Sequence, residues 1–198
     1  TGTANIASLT RCLKKIGVNA ILIKDIDECV SGSNKIIIPG IGNMKCLINL
    51  KKRLNTKLLN FINSENKYLL GICLGAQAMM NYSEESGEET LGLIEGHCKK
   101  ISDLAKINLN VGYRKIIHSK KNLLTTKLFK NISTSSKFYF LHKYYIHSAD
   151  HNTFTLKTSV ADKKFDCLLI KKNAVAIQFH PELSKKPGEI FLKNFSEL

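Results

Sequence analysis

Side chains that read nucleic acids are scarce in this chain of 198 residues. It has no tryptophan, and only Arg11, Arg53 and Arg114 among its 30 basic residues are arginines. Because arginine is the usual side chain for reading bases and planar phosphate groups, this composition argues against a nucleic-acid-binding protein. The lysines that set the net charge of +14 are scattered, so we interpret them as a solvated surface. Attraction to a phosphorylated substrate or an acidic partner is the alternative.

Long apolar runs and metal-binding cysteine pairs are also absent from the sequence. No apolar run approaches the roughly 18–20 residues that a membrane span needs, and no signal peptide is visible. The cysteines form no CxxC pair and no zinc-site spacing with histidine. They are Cys12, Cys29, Cys46, Cys73, Cys98 and Cys167. We therefore expect a cytoplasmic protein of one domain, residues 1–198, with no metal, no cofactor and no membrane partner.

Short apolar runs that alternate with amphipathic stretches predict an α/β fold. Strands are predicted over Ala20–Ile23, Lys35–Ile38 and Tyr68–Ile72, and helices over residues 5–16, 44–50 and 54–63. Strands separated by helices of about 10–15 residues favour a mostly parallel, doubly wound sheet that is flanked by helices. After Gly92 extended segments follow one another, which predicts more antiparallel strands in the second half.

The stretch Gly71-Ile72-Cys73-Leu74-Gly75 joins a predicted strand directly to a predicted helix. This is the spacing of a nucleophile elbow, in which small neighbours leave room for a sharp turn. The N-terminal N–H groups of the following helix would favour a thiolate at Cys73. The alternative is a buried structural cysteine, and a partner base is needed to decide between the two.

The sequence Gln178-Phe179-His180-Pro181-Glu182 offers such a base near the end of a predicted strand. The chain is expected to be extended around Pro181, so the side chains of His180 and Glu182 can meet on one side of it. With Cys73 they provide a nucleophile, a base and a residue that orients the base. Taken alone, His180 is better explained as a hydrogen-bonded structural histidine, but its pairing with Cys73 favours catalysis.

These two motifs and a third, Ile36-Ile37-Ile38-Pro39-Gly40-Ile41-Gly42, resemble the class I (triad) glutamine amidotransferases in order and spacing. The likeness runs along the whole chain, and we expect the first strand of that family to be missing before Thr1. Within the class, four segments look most like the glutaminase subunit of imidazole glycerol phosphate synthase. They are Thr1–Ile6, Ser83–Glu85, Phe138–His142 and Leu192–Phe195.

The resemblance implies that the chain hydrolyses L-glutamine to glutamate and ammonia. Cys73 is then the nucleophile, His180 transfers protons, and Glu182 fixes the orientation of the imidazole. Backbone N–H groups of Leu74 and of the Gly40-Ile41-Gly42 turn would hold the oxyanion. The alternative for the two glycines of that turn is that they only make it tight.

Substrate-binding roles are implied for Gln77, Glu85 and Tyr144. Gln77 lies one helical turn beyond Cys73 and on the same face, Glu85 would pair with the ammonium group of glutamine, and Tyr144 would lie beside its carboxylate. Without the resemblance, Gln77 is as well explained as a helix-surface residue. Glu85 belongs to an acidic run that is typical of a solvated loop.

The resemblance also implies a heterodimer with a (β/α)8 cyclase subunit, which uses the ammonia to make imidazole glycerol phosphate and a carboxamide ribotide. Three places depart from the family: Asn110–Arg114 replaces an H-x-G-W-N-like segment, Lys143 the Ser of H-S-Y, and Leu183 a basic residue. In the family these positions lie at the glutamine pocket or face the cyclase. Two alternatives therefore remain, a paralogous glutaminase that supplies a different synthase, for example one amidating a cell-surface sugar, and an inactive scaffold.

Overall fold

A computed structural model describes residues 2–23, 26–40, 44, 51–118 and 122–198 of the chain, which form both helices and strands. The helices are α1 Gly2–Lys15, α2 Ile26–Gly32, α3 Lys51–Asn63, α4 Leu74–Ala78, α5 Ile101–Ala105, α6 Leu123–Leu128 and α7 Lys185–Ser196, with a 3-10 turn at Pro181–Leu183. The strands are β1 Lys35–Ile38, β2 Tyr68–Ile72, β3 Tyr82–Ser83, β4 Glu88–Glu89, β5 His97–Lys100, β6 Asn110–Lys115, β7 Lys137–His142, β8 Tyr144–His147, β9 Phe154–Val160, β10 Lys163–Lys171 and β11 Ala174–Ile177. In these ranges no helix combines the length and the apolar character needed to cross a membrane.

A five-stranded sheet in the order β1-β2-β11-β10-β9 forms the centre of the fold. Strand β2 runs parallel to both β1 and β11, whereas β10 is antiparallel to β11 and β9. Parallel neighbours need a long crossover connection, and the β1–β2 connection contains α3. The predicted α/β sheet with antiparallel strands in the second half is confirmed.

Successive residues of the central strands pack on opposite faces of this sheet, as the pleat of a strand requires. Leu70 and Val175 join a core that includes side chains of α1 and α7. Leu69 and Ala176 join a second core that includes side chains of α3 and α4. Helices therefore cover both faces, which explains why β2 and β11 are almost continuously apolar.

A two-stranded ladder of β6 and β7 lies beside the central sheet and reaches the end of β11. The ladder is antiparallel and pairs Asn110 with His142 at one end. On β7, the Tyr139 carbonyl accepts a hydrogen bond of 2.8 Å from the His180 N–H, and the Tyr139 N–H donates to the Ser184 hydroxyl at 2.9 Å. These bonds attach the ladder to the segment that carries His180 and Glu182.

The predicted strand over Ala20–Ile23 is wrong, because residues 18–23 form neither helix nor strand. The side chains of Ile21 and Leu22 are largely exposed. A strand of four residues is stable only where neighbours take up its hydrogen bonds and cover its apolar side chains, and among the described residues no strand pairs with it. The predicted helix over residues 44–50 lies outside the described residues except for Met44.

Candidate active site

Cys73 occupies the single-residue turn between β2 and α4. Its backbone angles, φ 49° and ψ −104°, lie in a region that is strained for any residue other than glycine. Two backbone hydrogen bonds stabilise this strained conformation. The Cys73 N–H donates to the Ile177 carbonyl at 2.8 Å, and the Cys73 carbonyl accepts from the Gln77 N–H at 2.9 Å. A strained cysteine fixed between a strand and a helix has the geometry of a nucleophile elbow.

The two glycines of the elbow are required by close backbone contacts. A Cβ on Gly75 would lie 2.1 Å from the Ile38 carbonyl oxygen. A Cβ on Gly71 would lie 2.8 Å from the Ala76 nitrogen. Neither position can accept a methyl group without moving backbone atoms, so the G-x-C-x-G spacing reflects the packing of β1, β2 and α4 against one another.

His180 and Glu182 lie beside Cys73, as the motif predicted. The His180 Nδ1 is 2.8 Å from the Glu182 Oε1, and the Cys73 side chain is near enough to interact with the imidazole. Burial disfavours the imidazolium, but the hydrogen bonds and charges of Cys73 and Glu182 outweigh it and raise the pKa of His180 to about 10. The expected extended chain holds only at His180, because Pro181–Leu183 is a 3-10 turn. It is this turn that brings the Glu182 carboxylate back to the ring.

Gly40 lies against both reacting side chains. A Cβ at this position would be 3.0 Å from the Cys73 Cβ and 3.2 Å from the His180 Cε1. Leu74 is the first residue of α4, and its N–H is among those that a helix leaves without an intrahelical partner. Ile41 and Gly42 lie outside the described residues, so the oxyanion-binding role of this loop stays a prediction.

Gln77 is buried and not part of the helix surface, since only 3% of the residue is exposed. Its Nε2 donates to the Tyr144 carbonyl at 2.7 Å and lies 3.4 Å from the Gln178 Oε1. The structure thus removes the surface alternative for Gln77 and connects it to Tyr144. Its contact with glutamine stays a prediction.

Glu85 and Tyr144 lie at one edge of the site. The neighbouring Glu84 carboxylate accepts from the Lys100 N–H at 2.7 Å, and Lys100 pairs with Tyr144 across β5 and β8. Desolvation raises the pKa of Glu85, although its side chain keeps access to solvent, and the positive charge of Lys143 opposes that rise. Burial raises the pKa of Tyr144, and the Glu85 charge adds to that increase.

Sequence reasoning missed Gln178 as a member of the site. This side chain is fully buried, its Nε2 donates to the Cys73 Sγ at 3.6 Å, and its Oε1 accepts from the Ile146 N–H at 3.1 Å. The signal was a single amide that directly follows the apolar strand β11, two residues before His180. The Leu141 carbonyl oxygen, 3.7 Å from the same sulfur, carries no signal in the sequence because it is a backbone group.

The departures at Asn110 and Arg114 bond to each other. The Arg114 Nε donates to the Asn110 Oδ1 at 2.7 Å, and the Asn110 Nδ2 lies 2.8 Å from the His142 Nε2. Burial lowers the pKa of His142 to about 3, so this ring stays neutral and can accept from Asn110. Within the described ranges, no group of three or more His, Cys, Asp or Glu side chains is arranged to hold a metal ion.

The sequence and the fold also match known proteins. A family model described as glutamine amidotransferase class-I matches residues 1–197. The chain is 35% identical over 196 residues to imidazole glycerol phosphate synthase subunit HisH 2 of Campylobacter jejuni strain RM1221, covering 98% of this chain and 94% of that one. It is 34% identical over 200 residues to subunit HisH of Buchnera aphidicola from Acyrthosiphon pisum, covering 100% and 96%. A crystal structure of a glutamine amidotransferase shares the fold, with a TM-score of 0.69 at 16% identity over 96% of this chain and 93% of that one. This chain belongs to the class-I glutamine amidotransferase family.

Proposed function

We propose that this chain is the glutaminase subunit of an imidazole glycerol phosphate synthase in histidine biosynthesis. It hydrolyses L-glutamine to glutamate and ammonia and delivers the ammonia to a cyclase subunit. The observation that carries the proposal is the contact of Cys73, His180 and Glu182 at a strained strand-to-helix turn. The similarity to HisH subunits over nearly the whole chain supports the choice of this synthase.

The first half of the reaction forms a thioester. The Cys73 sulfur attacks the side-chain amide carbon of glutamine, and a carbon–sulfur bond forms as the carbonyl π electrons move to oxygen. When this tetrahedral oxyanion collapses, the carbon–nitrogen bond breaks and the imidazolium of His180 protonates the departing nitrogen, which leaves as ammonia. The hydrogen bond of 2.8 Å between Glu182 and the His180 Nδ1 keeps the Nε2 available for this transfer.

The second half of the reaction hydrolyses the thioester. His180 is neutral after it has protonated ammonia, so it removes a proton from a water molecule that attacks the thioester carbon. Glutamate is released, and the Cys73 sulfur leaves with its electron pair. Backbone N–H groups of Leu74 and of the loop at Gly40 stabilise the oxyanion in both halves, and removal of one such donor typically costs about 100- to 1000-fold in rate.

The cyclase subunit, expected as a (β/α)8 barrel, docks on the exposed face of the β6–β7 ladder. Val111, Tyr113 and Leu141 lie on that face with more than 40% of each side chain exposed, and Val111 is the cross-strand partner of Leu141. Exposed apolar side chains that adjoin one another are typical of a protein interface. The Leu141 carbonyl lies beside the Cys73 sulfur, so ammonia formed there is released next to this face.

A cytoplasmic location is consistent with the chemistry. The nucleophile must be a reduced thiol, and reduced thiols persist in the cytosol. The described cysteines, Cys12, Cys73, Cys98 and Cys167, are all free.

Cys73→Ala tests the proposal directly, because it removes the nucleophile and little volume. We expect glutamate release to fall to background, measured in the complex with the cyclase subunit and its ribonucleotide substrate. Cys98→Ala is the matched control, since burial raises the pKa of the Cys98 thiol and the mechanism gives it no role. Residual turnover by Cys73→Ala would contradict the mechanism. An active chain that neither binds this cyclase nor responds to its substrate would favour the paralogous glutaminase instead.

A further inference from the structure

Gln178 is a fully buried residue that directly follows β11, two residues before His180. Its backbone N–H donates to the Cys167 carbonyl at 2.9 Å, so the side chain starts from a fixed point at the end of the central sheet. Burying an amide is costly unless its polar atoms find hydrogen-bond partners. The partners of this amide therefore indicate its role.

The orientation of the Gln178 amide is set by the donors around its oxygen. Its Oε1 accepts from the Ile146 N–H at 3.1 Å and lies 3.4 Å from the Gln77 Nε2. A backbone N–H can only donate, so the bond from Ile146 identifies the oxygen end of the amide. Ile146 is itself buried in β8, where it pairs with Cys98, which makes its N–H a fixed donor. The NH2 group of Gln178 must therefore point away from β8.

That NH2 group faces the sulfur of the candidate nucleophile. The Gln178 Nε2 donates to the Cys73 Sγ at 3.6 Å. The Leu141 carbonyl oxygen, 3.7 Å from the same sulfur, has the opposite polarity. A carbonyl can accept from S–H and so favours the thiol, whereas an N–H donor favours the thiolate, because a hydrogen bond to a charged acceptor is stronger. The amide therefore offsets the effect of the carbonyl.

Ionisable side chains also surround the pair of Cys73 and His180. His180, with the Glu182 carboxylate behind it, interacts with Cys73 from the segment after β11. On β5, the Cys98 thiol interacts with Cys73, and burial raises the pKa of Cys98, so this thiol stays neutral. On β7, burial lowers the pKa of His142 to about 3, so this ring is neutral as well. Among these groups only His180 can offer a positive charge to the sulfur near neutral pH.

We propose that the Gln178 amide donates a hydrogen bond to the Cys73 thiolate and stabilises it, so that Gln178 prepares the nucleophile together with His180. The inference rests on the proposed function in assigning this thiolate to glutamine hydrolysis, whereas the hydrogen bond itself can be tested without glutamine. A purely structural role, in which Gln178 only accepts from the Ile146 N–H, predicts that the ionisation of Cys73 does not depend on this residue.

The test is Gln178→Met, which keeps an unbranched side chain of similar length and removes the N–H donor. The rate at which iodoacetamide alkylates Cys73 is measured against pH by mass spectrometry of the Cys73 peptide, since the thiolate is the form that reacts. We expect the midpoint of this profile to rise by about half a unit to one unit, with the same plateau at high pH. Below the midpoint, alkylation should be about three- to tenfold slower than in the wild type.

Thr158→Val is the matched control. Thr158 is equally buried, and its hydroxyl donates to the Lys115 carbonyl at 2.7 Å, but it lies on β9, which β10 and β11 separate from β2. The control removes a buried hydrogen bond and should leave the midpoint unchanged. An unchanged midpoint in folded Gln178→Met overturns the inference. An equal fall in alkylation at every pH overturns it too, because that result reports access to the sulfur and not its ionisation.

A readout in the wild-type protein covers the case in which Gln178→Met does not fold. Gln77 and Gln178 are the only glutamines of the chain, so isotopic labelling of glutamine gives two side-chain amide signals by NMR. We expect an N–H proton of Gln178 to shift with the pH midpoint of Cys73 alkylation, and this shift to be absent in Cys73→Ala. A wild-type Gln178 signal that does not move through this midpoint overturns the inference.

Glutamine hydrolysis then connects the hydrogen bond to the proposed function. In the complex with the cyclase subunit, the acidic limb of the pH profile of kcat/KM reports ionisation in the free enzyme. We expect this limb to move in Gln178→Met by the same amount as the alkylation midpoint. If the alkylation midpoint moved but the wild-type complex did not hydrolyse glutamine, the proposed function would be overturned and the hydrogen bond to the thiolate would stand.

Discussion

Replacing Gly40 by alanine tests whether the loop after β1 must touch the nucleophile and the base. The added Cβ would lie 2.9 Å from the Ile72 carbonyl oxygen, 3.0 Å from the Cys73 Cβ and 3.2 Å from the His180 Cε1, whereas ordinary contact begins at 3.4 Å. The Ile72 carbonyl is backbone at the end of β2, where Ile72 pairs with Ile177, so it cannot move aside cheaply. The loop must therefore retreat by about 0.5 Å, or Cys73 and His180 must separate by a few tenths of an ångström.

This displacement is large on the scale that catalysis tolerates. Reacting groups have to be held within about 0.5 Å of their productive positions, and a misplacement of about 1 Å can cost about 100-fold in rate. We expect kcat of Gly40→Ala to fall about 10- to 100-fold. The glutamine KM should change little, because the implied head-group residues Gln77 and Glu85 lie on other elements. Overpacking of this kind costs about 1–3 kcal/mol of stability, which leaves a folded protein.

The assay is steady-state glutamine hydrolysis in the complex with the cyclase subunit, combined with thermal unfolding. Alkylation of Cys73 by iodoacetamide, read by mass spectrometry, reports whether the thiol remains reactive when kcat has fallen. Gly32→Ala is the matched control, because a Cβ there has no neighbour within 4 Å, and it should leave kcat unchanged. A folded Gly40→Ala protein with kcat within about twofold of the wild type would refute the reasoning.

Three other substitutions probe buried titratable residues. Glu182→Gln keeps a hydrogen-bonding group but removes the carboxylate that helps to raise the pKa of His180, so we expect kcat to fall about 100- to 10,000-fold and that pKa, read from the pH–rate profile, to decrease. Burial lowers the pKa of His142 from 6.5 to about 3. Between these two pH values the unfolded chain binds a proton at this ring and the folded chain does not, so the stability that is present above pH 6.5 is lost as the pH falls towards 3. In urea titrations, His142→Gln should therefore reduce the acid-induced loss of unfolding free energy by up to about 1.4 kcal/mol per pH unit in that window, and an unchanged slope would contradict this. Asp166 is buried and lies 2.6 Å from the Nζ of the partly exposed Lys157 and 2.8 Å from the His147 Nδ1. Asp166→Asn should cost about 1–3 kcal/mol by urea unfolding, and an unchanged free energy of unfolding would contradict this.

The elbow could be predicted from the sequence because its constraints are local. A cysteine between a strand and a helix needs small neighbours on both sides, and the contacts of Gly71 and Gly75 show that need in the folded chain. Strand β2 could also be predicted from local sequence, and its predicted bounds, Tyr68–Ile72, agree with the structure. Cys73 lies near His180 because β2 pairs with β11. Neither motif alone predicts this pairing; it is suggested only when the two motifs are considered together.

The other features of the fold and of the site could not be predicted, because packing between distant elements decides them. Gln77 was equally compatible with the helix surface, and only its bond to the Tyr144 carbonyl shows that it points inward. Gln178 was missed because a buried amide needs partners from distant elements, here Ile146 on β8 and the Cys73 sulfur. Ala20–Ile23 has the composition of a strand, but composition cannot supply a neighbouring strand to pair with it.

The departures from the family pattern concern contacts that can change together without disturbing the reaction. Asn110 and Arg114 bond to each other on the β6–β7 ladder, and the Asn110 Nδ2 also contacts the His142 Nε2. A joint replacement at these two positions therefore keeps Asn110 and Arg114 bonded to each other, which lowers the cost of placing these polar groups inside the protein. Cys73 and Gly75 have no such freedom, because each is fixed by backbone atoms of other elements. The ladder can thus have changed on the face that carries Asn110 and Arg114, opposite the exposed Val111 and Tyr113, while the residues that would cleave glutamine kept their positions.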